Sequence, residues 1–107
     1  MKIQVTQEDI NTAKARLAEH GCARSRNCPV AIAAQRATGA EYACVDGEGV
    51  WIAYVDESGT HSGPFRILPP DVRLFINRFD ADKEVAPLEF DVDDLLHWSP
   101  TPRGETT

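Results

Sequence analysis

Between Gly21 and Ala34 the chain reads GCARSRNCPVAIAA, with Cys22, Arg24, Arg26 and Cys28 crowded ahead of an apolar run. Pro29 suits the first position of a helix, where its missing N–H costs nothing. Cys28 then takes the N-cap, beside the free amides of the first turn. That field, reinforced by Arg24 and Arg26, would favour a thiolate and hence a nucleophilic or redox cysteine. The same residues support a plainer expectation, a partly buried thiol that opens a helix and packs on its neighbour. No base stands beside it in sequence, since His20, His61 and His97 fall in a turn or near element ends. The pattern therefore favours packing over chemistry.

Three further chemistries can be weighed from residue types. His20, Cys22, Cys28 and Cys44 are soft metal ligands, but zinc sites are usually built on a compact C-x2–4-C knuckle. Here five residues separate Cys22 from Cys28 and fifteen separate Cys28 from Cys44, so no metal or other cofactor is expected. A helix N-terminus flanked by Arg24 and Arg26 could instead hold a phosphate, which would make the chain a binder of a small nucleotide signal. Seven carboxylates lie between Asp80 and Asp94, alternating with apolar residues as on a solvated face. GxSxG, HExxH, Walker and GxGxxG signatures are all missing, so no catalytic set is expected.

The elements that must position these residues follow from periodicity. Lys2–Val5 alternates as a short strand. Thr6 is a good N-cap with Glu8 and Asp9 in the first turn, and Ile10, Ala13, Leu17 and Ala18 make one helical face that ends at His20-Gly21. After a polar connection over 22–27, a second helix runs from Pro29 to Gly39 and buries Val30, Ala33, Ala34 and Ala37. EYACV, GVWIAYV and GPFRIL read as an antiparallel meander separated by DGEG and DESGTHS turns. Val72, Phe75, Ile76 and Phe79 give the third helix its i, i+3, i+4, i+7 stripe, and PLEFDV closes as a strand. The expectation is one α+β domain over 1–94, a mainly antiparallel sheet of four to five strands with about three helices on one face. Residues 95–107 are expected to form a largely flexible extension, by their composition.

Composition bounds the rest. The 107 residues suit one core, and the net charge of -6 is uneven. Residues 1–39 hold six basic and three acidic groups, whereas 40–107 hold five and fourteen. That balance argues against general nucleic-acid binding and leaves a small basic patch at Arg24, Arg26 and Arg36. No apolar run reaches the ~20 residues of a membrane span. The N-terminus lacks a signal-peptide core, and three cysteines fit a reducing cytoplasm. Trp51 alternates with core positions and falls on the opposite sheet face. Exposed together with Trp98 and the acidic residues around 80–94 it would offer an interaction patch, but the plainer expectation, and the favoured one, is that a helix covers Trp51 and the tail covers Trp98.

VTQEDI, CPVAIA and LPPDVRLFINRFDADKEVAPLEFDV together resemble a set of small bacteriophage and prophage proteins. Those open with VT-x-x-x-I, carry CPVALA at a helix start, and end in FD-x-G-x-x-V-x-P-F-x-F. The frame covers residues 3–92 apart from the hairpins. It is broken by longer turns after Ala40, by Asp82-Lys83 where glycine is usual, and by Leu88 in place of Phe. No activity attaches to the set, so the resemblance implies a phage origin and a bacterial host cytoplasm without supplying a catalytic residue. The reading that unites these points is a non-enzymatic accessory protein that binds a host protein, such as an inhibitor of defence or a host-takeover factor. Its candidate contacts are Arg24, Arg26, Cys28 and Trp98, and an exposed strand edge or helix flank would also let two copies pair. The nucleotide binder and the cysteine- or zinc-dependent protein stand as alternatives.

Overall fold

A computed structural model describes residues 1–20 and 24–92. In chain order the elements are β1 (Lys2–Val5), α1 (Gln7–His20), α2 (Arg24–Asn27), α3 (Pro29–Thr38), β2 (Tyr42–Val45), β3 (Gly49–Val55), β4 (His61–Ser62), β5 (Phe65–Ile67), α4 (Pro70–Asp80) and β6 (Leu88–Asp91). The architecture is α+β. The strands divide between two antiparallel sheets, a β1–β6 ribbon and a sheet of β2, β3, β4 and β5, where one sheet was expected. The connection over 22–27 is likewise not wholly irregular, since Arg24–Asn27 forms a helical turn.

Helix starts are set by the residues the sequence singles out. The Thr6 hydroxyl accepts from the Asp9 amide at 3.2 Å, while the Asp9 carboxylate accepts from the Thr6 amide at 2.9 Å. This reciprocal capping box satisfies two otherwise orphaned donors. α3 begins at Pro29 with Cys28 as N-cap and stops at Gly39, whose φ of 70° is cheap only for glycine. Its Val30, Ala31, Ala33 and Ala34 are buried, but Ala37 is exposed, contrary to the periodic expectation, and Thr38 is buried instead. Ala18 of α1 is exposed for a similar reason: the face that α3 covers is narrower than the apolar stripe.

α3 is the central packing element, touching α1, β1, β2 and β3. Its small side chains let both sheets approach closely. Ile3 and Val5 from the ribbon, Val50 and Ile52 from β3, and Val72, Phe75, Ile76 and Phe79 from α4 complete one continuous core. β6 alternates as its sequence predicts, Phe90 and Val92 inward, Glu89 and Asp91 outward.

The third strand of the meander is physically one strand interrupted by a proline. Tyr54 lies opposite Ser62 and Trp51 opposite Phe65, a single register on both sides of Gly63-Pro64. The Ile52 amide donates to the Pro64 carbonyl at 3.1 Å, but Pro64 has no N–H to return. No helix of the described residues is long and apolar enough to cross a membrane.

Candidate functional site

The thiol at the start of α3 is a core group. Cys28 is only 2% exposed. Burial pushes its pKa up from 9.0 to about 11, and the charge of Asp80 adds to that push. The Ala31 and Val30 amides pull the other way, as the N-cap position predicts, without closing a cap hydrogen bond. Desolvation wins, so at neutral pH the group is a neutral thiol. Of the two readings of this residue, its burial fits the packing one.

The basic patch does not converge either. Arg36 is taken by Asp9, to which both terminal guanidinium nitrogens donate, and its Nη2 also donates to the Gln4 carbonyl at 2.9 Å. Arg26 turns to the sheet, with its guanidinium carbon 4.2 Å from the Tyr42 ring centroid. The side chain of Arg24 lies outside the described residues, as do Cys22, the side chain of His20, Asp93, Asp94 and Trp98. Among the described residues no three His, Cys, Asp or Glu side chains stand close enough together to hold a metal ion.

What the structure does assemble is the outer face of the larger sheet. Ala43, Val45, Val50 and Ile52 point inward to the core. By alternation, Tyr42 and Cys44 of β2, Trp51, Ala53 and Val55 of β3, and His61, Phe65 and Ile67 of the third strand point outward. Small residues recur among them, and the rings lie over those places. Phe65 bends over Gly49, where a Cβ would collide with the ring and with the Arg66 carbonyl. At Gly63 a Cβ would collide with the Ile52 carbonyl, and the indole Nε1 of Trp51 donates to the Gly63 carbonyl at 3.1 Å.

Tyr42 is the hub of this layer. Its ring meets Trp51 edge-on at 5.6 Å between centroids and His61 edge-on at 5.2 Å. Such T-shaped pairs add to what burial alone supplies. Its hydroxyl lies 3.4 Å from His61 Nδ1, and Arg26 contributes a cation–π contact from the β2 margin. Around the rings Val55, Phe65 and Ile67 remain 42%, 43% and 61% exposed. The bordering carboxylates Asp46 and Asp56 are held ionised below the usual range, chiefly by the Glu48 amide for Asp46 and the Ser58 hydroxyl for Asp56. They brace their turns. Ser58 donates to the same Asp56 oxygen that its turn amides use, so this hydroxyl serves the turn as well.

Clefts among the described residues include one that borders this face and one on the far side of the core. One of about 550 Å³ separates Phe65–Ile67 from Asp91 and Val92. Another of about 290 Å³ lies between α1 and the end of α4, with Leu17 and Phe79 on its floor and Lys14 and Lys83 on its rim. The residues of the outer face were partly within reach of sequence reasoning. Trp51 is placed by alternation, but Tyr42, His61, Phe65 and Ile67 are not singled out. The signal for them is that GVWIAYV is apolar at nearly every position, the mark of a strand meant to be covered on both sides. Comparison with protein-family models, curated proteins and solved structures finds nothing that matches this chain.

Proposed function

We propose that the protein acts by binding rather than by catalysis, as a non-enzymatic phage or prophage accessory protein. Its partner is a host protein, and its action is that of a defence inhibitor or host-takeover factor. The observation that carries this reading is the outer sheet face, where Val55, Phe65 and Ile67 stand exposed around Tyr42, Trp51 and Arg26. Exposed apolar patches of this kind mark interaction sites, and Trp, Tyr and Arg are the residues most often found at the energetic centre of an interface. The buried thiol of Cys28 supports binding over redox or nucleophilic chemistry. The phage setting rests on the resemblance of the CPVA and FINRFD segments.

The test uses a photo-crosslinking amino acid at Phe65 and, as control, at Leu74, which is exposed on α4. The expected result in bacterial cells is one host protein captured from position 65 and absent from position 74. Phe65→Glu should abolish whatever growth or defence phenotype the wild-type chain produces. A phenotype fully retained by Phe65→Glu would overturn the reading.

A further inference from the structure

β3 is apolar on both faces, and α3 covers only the inner one. The outer face is organised in rows across the three strands. Tyr42, Ala53 and Gly63 form one row, Cys44, Trp51 and Phe65 the next, and Asp46, Gly49 and Ile67 the third. Along β3 the sizes alternate, with Ala53, Trp51 and Gly49 in successive rows. Ile67, the most exposed of the large apolar side chains, stands one row beyond Phe65. Gly63, one row on the other side, is met by the Trp51 indole, whose Nε1 donates to its carbonyl.

Charge alternates in the same direction. Arg26 sits over Tyr42 at one end of β2, and the exposed Asp46–Glu48 turn lies at the other end, two rows away. The first and third rows are separated by about 13 Å along the strands. A two-fold axis across the strands at the middle row would exchange them. It would set Ile67 of each copy over the Trp51 indole that meets Gly63 of the other, and Arg26 of each copy against Glu48 of the other. Apolar side chain meets aromatic ring and cation meets anion, twice each.

From this self-complementarity we infer that the occupant of the outer face is a second copy of this chain, packed sheet on sheet in an isologous two-fold dimer. Facing sheets of this kind pack about 10 Å apart with strands close to aligned, and a two-fold contact requires one patch to match itself. The inference rests on the reading of this face as a binding surface and adds its regulation. The dimer covers Val55, Phe65 and Ile67, so a host partner gains the face only as the dimer parts.

Sedimentation equilibrium of the full chain tests this. The wild type is expected to be dimeric at ~50 µM, and Ile67→Glu, at a position already exposed and so harmless to folding, should be monomeric there. Arg26→Glu should weaken the dimer by about tenfold, as expected for two rim ion pairs turned repulsive. Arg26→Glu with Glu48→Arg should restore it to within about twofold, which no merely structural role of Arg26 would produce. A wild-type monomer at that concentration, a dimer indifferent to Ile67→Glu, or a charge swap without rescue would each overturn the two-fold arrangement. So would a monomer that dimerises only after Leu95→Ser, Leu96→Ser and Trp98→Ala, since the chain's own C-terminal residues would then be the occupant. Loss of the dimer leaves crosslinking from position 65 to a host protein intact, so the two readings fail separately.

Discussion

Asp9 is 3% exposed and answers to two partners, the Thr6 amide within its own helix start and the Arg36 guanidinium from α3. Burial pushes its carboxyl up, but the Arg36 pair and the Thr6 bonds together outweigh that and hold it below its ordinary value of 3.8. A depressed folded-state pKa means the contribution is full above that value and is lost as pH falls through the lower, folded one. Asp9→Asn is expected to cost about 1–3 kcal/mol at neutral pH, since it removes a charged hydrogen-bond acceptor from a buried site. It should also flatten the acid limb of stability against pH, measured by urea unfolding between pH 2 and 7. The capping half of this site is legible in sequence as T-x-x-D at a helix start. The arginine half is not, because Arg36 is 27 positions away and no local spacing announces it. The same holds for Cys28, whose N-cap position is readable while the burial that governs its acidity is a property of the packed core.

Among the elements, α4 was the most legible, its Val72, Phe75, Ile76 and Phe79 stripe buried as the period requires. Its end is less comfortable. Asp82 has a φ of 59°, and its amide donates to the Phe79 carbonyl at 3.1 Å while the Lys83 amide donates to Arg78 at 2.9 Å. This is the left-handed residue of a helix-terminating turn, which a side chain adopts at a cost and glycine adopts freely. Asp82→Gly is therefore expected to raise stability by about 0.5–1 kcal/mol, seen as a higher urea midpoint with an unchanged slope. The meander was legible as three strands, but not the break in its last one. That break follows from Pro64 lacking the donor that Ile52 would meet. The split of the strands into two sheets was hidden for another reason: pairing is decided by which apolar faces α3 can cover at once, not by any strand's own pattern.

At the scale of the molecule, charge and association are coupled. The chain carries a net charge of -6, so two copies repel at long range, while the proposed dimer would bring mostly apolar and aromatic surface together. Raising salt from ~20 to ~200 mM shortens the screening length to less than a protein radius. The dissociation constant of the proposed dimer is expected to fall several-fold over that range, because relief of the repulsion between two acidic copies outweighs screening of the two Arg26–Glu48 rim pairs. Sedimentation at the two salt concentrations measures it. Composition gave the acidity, but not that this face escapes it.

The β1–β6 ribbon joins the two ends of the described chain, with Met1 donating to the Val92 carbonyl at 2.7 Å and Ile3 and Val5 wholly enclosed. During synthesis β1 leaves the ribosome before Leu88–Asp91 and must wait for that segment before it has a mate. Through that interval α1 and α3 can form, but the backbone edge of β1 stays unpaired. Contacts so far apart in sequence close slowly. Every nascent copy thus passes through a sticky stage whose length is set by translation speed, and slowing the codons between β1 and β6 would lengthen it.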